Sequence, residues 1–456
     1  MRYWDAVFAF VVAAAVAALL TPLAARLAWR IGAVAMPSER GLATHTTPLL
    51  GGLAILAGVL VAAAIWMPDT IRLSRTPHTA PGSGGTVNTW AVIAGACLIS
   101  IVGAIDDARD LPPLAKLLGQ IAAAIIAVEA GAVVTDVTLP FVGALQFPNT
   151  GGVLTVIWLV ALMNVVNFSD GVDGLAAGIC TIDGIAFAII AFDLQGGRSA
   201  AAVLAAISAG AALGFLFHNF YPASVFMGDA GSNLLGYLLG VVAVIGSLKT
   251  SAVAALALPL VILAVPFLDT SFVIAKRLKY GRKPWTADAN HFHHRLARIG
   301  YSQRKTVAFL YAWTVLLAGV ALALRFVPYS DHHDHYRLGW SLVMVAFALV
   351  AIAATIYLVY VLEIFKFKNL RARMMRRADP DTTEHEIDEA VRHDVETGEF
   401  DRVWDSGPDG EGTPPRPPIV HDARRVDDQG TGGAGVDAGA QPEPRGGDRT
   451  AGRRNG

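Results

Sequence analysis

The sequence predicts an all-α polytopic integral membrane protein with about eleven transmembrane helices. Of the 456 residues, 54% are hydrophobic and only 16% are charged, whereas a soluble domain carries about a quarter charged residues. The mean hydropathy is +0.49. Apolar runs of about twenty residues recur along the chain, and each is long enough for a helix to cross a hydrocarbon core of about 30 Å.

Eleven of these runs are predicted as spans. They are 4–29, 49–67, 89–105, 113–132, 152–168, 174–192, 199–217, 231–247, 252–275, 305–327 and 338–362. The fourth and sixth contain the acids Glu129 and Asp183 and are less uniformly apolar than the others.

The distribution of Lys and Arg predicts the orientation. Arg26, Arg30 and Arg40 follow the first span, and because basic loops stay in the cytoplasm, the N-terminus is expected outside. Counting spans from there places the polar loops on the cytoplasmic side of the plasma membrane, namely 30–45, 106–111, 167–173, 218–229 and 276–305.

The C-terminal region has a different composition. From Asp379 onward the chain becomes acidic and then rich in Gly, Pro, Asp and Arg. Such a segment cannot bury enough apolar surface to offset the entropy lost on ordering. We therefore predict a membrane-embedded domain over 1–378 and a disordered cytoplasmic tail over 379–456.

Polar segments at the ends of the spans supply the candidate functional residues. Asp106 and Asp107 end the third span. A helix C-terminus carries partial negative charge, so a cation or a proton should compensate this pair. Arg109 and Lys116 follow, and either could form an ordinary salt bridge with it. Ionisable residues near hydrocarbon are costly and are functional candidates by default.

The segment after the fifth span is more specific. Asn164, Asn167 and Asp170 recur at intervals of three residues and share one helix face. Asp173 could cap the helix that begins at residue 174 or 175. Capping does not explain two amides in a membrane helix beside two carboxylates, so the segment is interpreted as a binding site.

The eighth span opens with Gly228-Asp-Ala-Gly-Ser232. Asp229 is predicted to be the N-cap of this helix with Ser232 as its partner, and the exposed N–H groups there suit phosphate. Carboxylates without nearby Cys ligands favour Mg²⁺ or Mn²⁺ over zinc. Together with the basic loops, they predict a phosphorylated or diphosphate substrate at the inner leaflet.

A basic loop follows the ninth span. It contains Asp288-Ala-Asn-His291-Phe-His293-His294-Arg295. The spacing of its three histidines is not that of a standard zinc site, and the imidazoles could bind metal, phosphate or a diphosphate.

These four segments resemble those of the polyprenyl-phosphate N-acetylhexosamine-1-phosphate transferase family, glycosyltransferase family 4. The resemblance covers roughly 30–300, in the family's order and spacing, and includes a first cytoplasmic loop with His45. The His loop is similar to that of the branch that transfers GlcNAc-1-phosphate. The muramoyl-pentapeptide branch has three consecutive histidines followed by Phe-Glu, which this chain lacks.

The resemblance implies a reaction and a cofactor. An oxygen of undecaprenyl or decaprenyl phosphate attacks the β-phosphorus of UDP-GlcNAc, giving polyprenyl-diphosphate-GlcNAc and UMP for cell-envelope polysaccharide or arabinogalactan-linker synthesis. Mg²⁺, or Mn²⁺ in its place, is implied as the cofactor.

The resemblance also implies roles for individual residues. The implied catalytic residues are Asp106, Asp107 and Asp229, and the implied metal ligands are Asp229, Asp107 and Asp170. The implied substrate-binding residues are His45, Lys116, Asn164, Asn167, Asp170, Asp173, His291, His293, His294 and Arg295.

Three alternatives remain at this point. The same chemistry could use another UDP-HexNAc or UDP-MurNAc-pentapeptide as donor. An ion-coupled transporter would also have many spans with intramembrane acids, although its binding groups tend to lie near the midplane of broken helices. A non-catalytic scaffold would not need the buried Asn and Asp residues. Membrane lipid is an expected partner, a homodimer is left open, and no nucleic-acid partner is expected.

Overall fold

The computed structural model describes most of the membrane part of the chain. The described residues are 3–36, 46–72, 86–134, 136–139, 143–147, 149–194, 200–246 and 303–327, with further positions between 339 and 390. All of them belong to the first of two units, Met1–Trp404 and Asp405–Gly456. The predicted span 252–275, the His loop and His45 lie outside the described residues. The boundary at 378/379 stays a prediction.

Helices dominate this part of the chain. They are α1 (Tyr3–Ile31), α2 (Gly51–Trp66), α3 (Thr89–Arg109), α4 (Pro113–Glu129), α5 (Gly151–Ser169), α6 (Leu175–Leu194), α7 (Ala200–Asn219), α8 (Gly228–Gly246) and α9 (Gln303–Phe326).

Short antiparallel strand pairs lie in three of the connections. They are β1 (Val34–Ala35) with β2 (Thr47–Pro48), β3 (Thr70–Arg72) with β4 (Thr86–Asn88), and β5 (Asp136–Leu139) with β6 (Gly143–Gln146). Each pair forms its own two-stranded sheet. The membrane-embedded architecture is therefore helical as predicted, and the strands are confined to loops.

Seven of the described helices are long and apolar enough to cross a membrane, namely α1, α3 and α5 to α9. This finding supports a polytopic membrane protein. The helices α2 and α4 have only 16 and 17 residues, shorter than the predicted spans 49–67 and 113–132. At 1.5 Å per residue each is about 25 Å long. The total of eleven spans stays a prediction.

The helix α8 is the centre of the bundle. Nearly every residue from Gly228 to Gly246 is buried, and α2, α3, α5, α6 and α7 pack against it. Two glycines allow neighbouring helices to approach its first turn closely. A Cβ at Gly52 would lie 2.1 Å from the backbone nitrogen of Gly231, and one at Gly103 would lie 2.4 Å from that of Ala230.

The polar segments meet at one end of this bundle. Asp107 near the end of α3, Lys116 at the start of α4 and Asn167 near the end of α5 all contact Asp229, at the start of α8. The connection between α5 and α6 joins the end of α7 at the same place, because the N–H of Gly174 donates to Asn219. The prediction that these segments converge is confirmed for the three that the structure describes.

Candidate active site

The first turn of α8 is the centre of the site. The helix begins at Gly228, so Asp229 is its second residue. The prediction that Asp229 is the N-cap is therefore wrong. Instead of capping its own helix, the Asp229 carboxylate contacts side chains of α4 and α5.

Lys116 contacts two carboxylates. Its ammonium nitrogen lies 3.3 Å from Oδ2 of Asp106 and also contacts Oδ2 of Asp229. The three side chains are only 22%, 16% and 20% exposed, so water and salt screen them less than they screen a surface ion pair. Of the two cations predicted as partners of the aspartate pair, Lys116 makes the contact, and Arg109 is exposed.

Asn167 holds the other oxygen of the same carboxylate. Its Nδ2 donates to Oδ1 of Asp229 over 2.6 Å and to Oγ of Ser232 over 2.9 Å. Ser232 donates in turn to the backbone oxygen of Gly228 over 3.0 Å. Because the amide is neutral, this contact orients the Asp229 carboxylate without neutralising its charge.

A chain of amide side chains connects α5, α4 and α8. Asn164 donates to Gln120 over 2.8 Å, Gln120 donates to Asn233 over 2.7 Å, and Asn233 donates to the backbone oxygen of Asp229 over 2.8 Å. Gln120 and Asn233 are buried. Each donor in this relay has an acceptor, which is what a buried polar network requires.

The family resemblance includes Gln120 downstream of Lys116 but gives it no role, and Asn233 is not predicted from the sequence at all. Their spacing is the signal that could have found them. Gln120 lies four residues after Lys116, and Asn233 lies four residues after Asp229. Residues four apart share a helix face, so each buried amide lies one helical turn from a charged residue of the site and on the same face.

The adjacent aspartates Asp106 and Asp107 have different partners. Asp106 accepts a hydrogen bond from the N–H of Leu111 over 2.7 Å through Oδ1 and faces Lys116 through Oδ2. Asp107 accepts hydrogen bonds from two backbone N–H groups of α8, those of Asp229 over 2.8 Å and Ala230 over 3.2 Å.

Asp170 and Asp173 belong to the turn that follows α5. Burial, together with the nearby carboxylates of Asp107 and Asp173, raises the pKa of the Asp170 carboxyl well above its usual value. Asp173 accepts a hydrogen bond from the N–H of Ala223 over 3.0 Å. Where the sequence predicted a cap for α6, the observed contact of Asp173 joins this turn to the loop between α7 and α8.

The spacing of the carboxylates limits how they could bind a metal ion. Within the described ranges, no three His, Cys, Asp or Glu side chains lie close enough together to hold one metal ion. The predicted ligands Asp229, Asp107 and Asp170 therefore do not form one three-carboxylate set in this arrangement. Asp106 and Asp229 do converge on one cation, the Lys116 ammonium. Two carboxylates are enough for Mg²⁺ when substrate phosphates complete its coordination.

These features define a multi-pass membrane protein with a partly buried cluster of carboxylates, amides and one lysine at the end of its helix bundle. The sequence model of glycosyl transferase family 4 matches residues 89–247, the region from α3 to the end of α8. The chain belongs to this family, as the curated relatives also show.

Two relatives illustrate the match. The chain is 34% identical over 326 residues to the probable undecaprenyl-phosphate N-acetylglucosaminyl 1-phosphate transferase of Bacillus subtilis, covering 70% of this chain and 85% of the relative. It is 36% identical over 323 residues to the decaprenyl-phosphate N-acetylglucosaminephosphotransferase of Mycolicibacterium smegmatis, covering 66% and 78%.

A phospho-N-acetylmuramoyl-pentapeptide-transferase of Desulforamulus reducens is 33% identical over 300 residues, covering 62% of this chain and 83% of the relative. The protein is thus a membrane-embedded phosphoglycosyl transferase. The predictions of an enzyme and of this family are confirmed, and the transporter and scaffold alternatives are set aside.

Part of the predicted site cannot be placed. His45, His291, His293, His294 and Arg295 lie outside the described residues, so their substrate-binding roles stay predictions. The structure brings together the remaining predicted residues, Asp106, Asp107, Lys116, Asn164, Asn167, Asp170, Asp173 and Asp229, around or next to the first turn of α8.

Proposed function

We propose that the protein transfers GlcNAc-1-phosphate from UDP-GlcNAc to a polyprenyl phosphate and releases UMP. The names of the two relatives with GlcNAc-type activity support the sugar, and so does the resemblance of the His loop to that branch. The observation that carries the proposal is the contact of Lys116 with Asp106 and Asp229 at one end of an apolar helix bundle. Charged groups fixed in a site with little water are suited to phosphate transfer.

The proposed reaction exchanges one P–O bond for another. A terminal oxygen of the polyprenyl phosphate forms a bond to the β-phosphorus of UDP-GlcNAc. The bond between that phosphorus and the bridging oxygen of the diphosphate breaks, and the bridging oxygen leaves with UMP. No oxidant and no further reactant is needed.

Lys116 is the proposed phosphate-binding cation among the described residues. It lies in the first turn of α4, a helix whose first two turns also carry the exposed apolar side chains Leu114, Leu117 and Leu118. A lipid phosphate whose chain lies along these leucines could bring its charged group to the ammonium. Asp106, which shares the ammonium with Asp229, is proposed to orient that phosphate group.

Mg²⁺, or Mn²⁺, is the proposed cofactor, with Asp229 and Asp106 as its protein ligands. When bound, the ion would neutralise the charge that develops on the departing UMP. Asn167 supports this assignment, because it orients Oδ1 of Asp229 and leaves Oδ2 directed at a cation.

The loops at the same end are proposed to bind the nucleotide sugar. Asn164, Asp170 and Asp173 would contribute from the turn after α5. His45 from the first cytoplasmic loop, and His291, His293, His294 and Arg295 from the basic loop, would contact the diphosphate or the sugar. These assignments follow the resemblance to the family.

We further propose that the N-terminus is outside, that the chain has eleven spans and that the active site faces the cytoplasm. Basic residues support this orientation. Arg26 and Arg30 lie near the end of α1. Two backbone hydrogen bonds connect this end of α1 to the segment before α8: the N–H of Leu49 donates to Ala33, and the N–H of Gly51 donates to Phe226. Basic residues near span ends favour the cytoplasm. Single cysteines introduced into the loops on either side of the membrane, and labelled in intact cells, would test this orientation.

A second donor needs to be compared directly, because muramoyl-pentapeptide transferases also match this chain at 33% identity. Purified protein with Mg²⁺ and decaprenyl phosphate would be given radiolabelled UDP-GlcNAc, UDP-GalNAc or UDP-MurNAc-pentapeptide in parallel. The proposal expects a lipid-linked product with UDP-GlcNAc and much less with the others. A product formed only from UDP-MurNAc-pentapeptide would overturn the donor assignment.

A further inference from the structure

We propose that Asp107 acts as a positioning residue that caps helix α8 from a neighbouring helix and thereby fixes Asp229, while Asp106 is the member of the pair that faces the reacting groups. This inference rests on the proposed function, which gives the site its catalytic role. It gives different roles to two residues that the family resemblance both implies as catalytic, and it replaces the metal-ligand role implied for Asp107.

The start of α8 lacks a capping side chain of its own. The N–H of Gly231 donates to the backbone oxygen of Met227 over 3.2 Å, which is the first hydrogen bond of the helix and makes Met227 the residue at the N-cap position. A methionine offers no oxygen to the free N–H groups of the first turn. A capping residue normally accepts from the second or third residue of the helix, and here these are Asp229 and Ala230.

Asp107 supplies those acceptors from α3. Its two oxygens accept the hydrogen bonds of the N–H groups of Asp229 and Ala230, over 2.8 Å and 3.2 Å. The geometry is that of an N-cap carboxylate, except that it comes from 122 residues earlier in the chain. The carboxylate also lies against the positive end of the α8 dipole, where a negative charge is stabilised.

The face of α3 that carries Asp107 is shaped for this contact. Ser100 donates to the backbone oxygen of Ala230 over 3.2 Å, and a Cβ at Gly103 would lie 2.4 Å from the Ala230 nitrogen. Residues 100, 103 and 107 lie on one face of a helix. All three therefore dock on the first turn of α8.

Gly228 completes the fit. Its φ of +64° favours glycine, and a Cβ there would lie 2.3 Å from Oδ2 of Asp107. The close approach of the carboxylate to the helix start thus depends on a residue without a side chain. The Asp106 carboxylate is not part of this close contact with α8. Its Oδ2 faces the Lys116 ammonium instead.

A transplanted cap tests this assignment. Asp107→Asn preserves the shape of the side chain, but it turns one acceptor into an N–H donor that faces another N–H group. In that background, Met227→Ser supplies a capping hydroxyl within α8, and Met227→Ala removes the same bulk without supplying one. All variants are full-length protein in detergent, measured for transfer from radiolabelled UDP-GlcNAc and for the melting temperature.

A positioning role predicts a difference between the two double variants. The one that carries Met227→Ser should have a kcat about tenfold higher than the one that carries Met227→Ala, and it should melt at a higher temperature. The same Met227→Ser change in the unaltered protein should give no gain. Equal kcat in the two double variants, with equal melting temperatures, would overturn the proposal, because a capping hydroxyl in α8 would then restore neither stability nor activity.

The failure of this inference is distinguishable from that of the proposed function. If the unaltered protein forms no lipid-linked product from any UDP-sugar, the proposed function fails. The melting temperatures of the double variants still decide the cap in that case, since a cap in α8 raises the stability whatever the protein's substrate. Equal melting temperatures would then overturn the cap.

Discussion

The amide of Asn167 donates a hydrogen bond of 2.6 Å to Oδ1 of Asp229, and this contact joins the end of α5 to the start of α8. It leaves the other oxygen of Asp229 to Lys116. The two oxygens of one carboxylate are thus assigned to different partners, one neutral and one cationic. Substitutions of these two partners can therefore alter the charge compensation and the orientation of the Asp229 carboxylate separately.

Replacing the neutral partner by an acid should inactivate the enzyme. Asn167→Asp places a second carboxylate 2.6 Å from that of Asp229, so the two groups repel each other and Asp229 is displaced or protonated. We expect kcat to fall by about 100-fold or more. Asn149→Asp makes the same chemical change at an exposed position, away from the site, and should leave kcat unchanged. Equal activities of the two variants would contradict the arrangement.

Removing the lysine should leave two acids uncompensated. Lys116→Met deletes the cation shared by Asp106 and Asp229, and removing one partner of a poorly solvated ion pair leaves the other charges uncompensated and is destabilising. The melting temperature in detergent should fall and transfer activity should be lost. Arg109→Gln removes a cation from an exposed position nearby and should change neither quantity. Wild-type stability in Lys116→Met would show that the contact is not formed.

The same variant also probes the cation site. With the ammonium gone, Asp106 and Asp229 should bind a divalent ion more tightly, because they no longer share an internal cation. Millimolar Mg²⁺ should then raise the melting temperature of Lys116→Met by more than it raises that of the unaltered protein. If both proteins respond to Mg²⁺ equally, these two carboxylates are not the ligands. Ca²⁺ and Na⁺ at matched ionic strength serve as controls.

The amide relay should be important for stability. Gln120→Met removes both hydrogen bonds of a buried side chain and leaves groups of Asn164 and Asn233 without their partner. Each unsatisfied buried group costs about 1–3 kcal/mol. Thr181→Val is the control, since the one described partner of its hydroxyl is the backbone oxygen of Ala177 in the same helix, and it should have a small effect. Thermal unfolding of the two variants compares them, and an equal shift would argue against the relay.

The contact between α3 and α8 requires a residue without a side chain. Gly103→Ala would place a Cβ 2.4 Å from the nitrogen of Ala230, so the helices must separate and Asp107 must move away from the N–H groups that it caps. We expect a clear loss of both stability and kcat. Gly339→Ala should be tolerated, because among the described parts of the chain no neighbouring atom lies within 4 Å of the Cβ position there. Measuring expression, melting temperature and activity together separates misfolding from loss of function.

Much of the site could be predicted from local patterns. The hydropathy predicted the helices α1 to α9, and counting the predicted spans indicated that Asp107, Asn167 and Asp229 would lie at the same end. The interval of three residues between Asn164 and Asn167 indicated that both face the site. These predictions depend only on helix periodicity and on alternation of direction, which a sequence records directly.

What the sequence could not predict depends on contacts between distant helices. Asp229 was expected to cap its own helix because aspartate followed by glycine and serine is typical of such a position. The cap comes instead from Asp107, 122 residues earlier, and no local pattern records that pairing. The different partners of Asp106 and Asp107 were unpredictable for the same reason, since one residue of helical rotation turns them toward different neighbours.

The fate of the β-phosphorus tests the proposed phosphate transfer most directly. Purified protein would be incubated with Mg²⁺, decaprenyl phosphate and UDP-GlcNAc labelled with ³²P at the β-position, and the lipid and nucleotide products would be separated. We predict that the label moves to the lipid while unlabelled UMP is released, and that Asp229→Asn abolishes both. Labelled UDP released beside an unlabelled glycolipid would mean transfer of the sugar without its phosphate, and would contradict the proposed reaction.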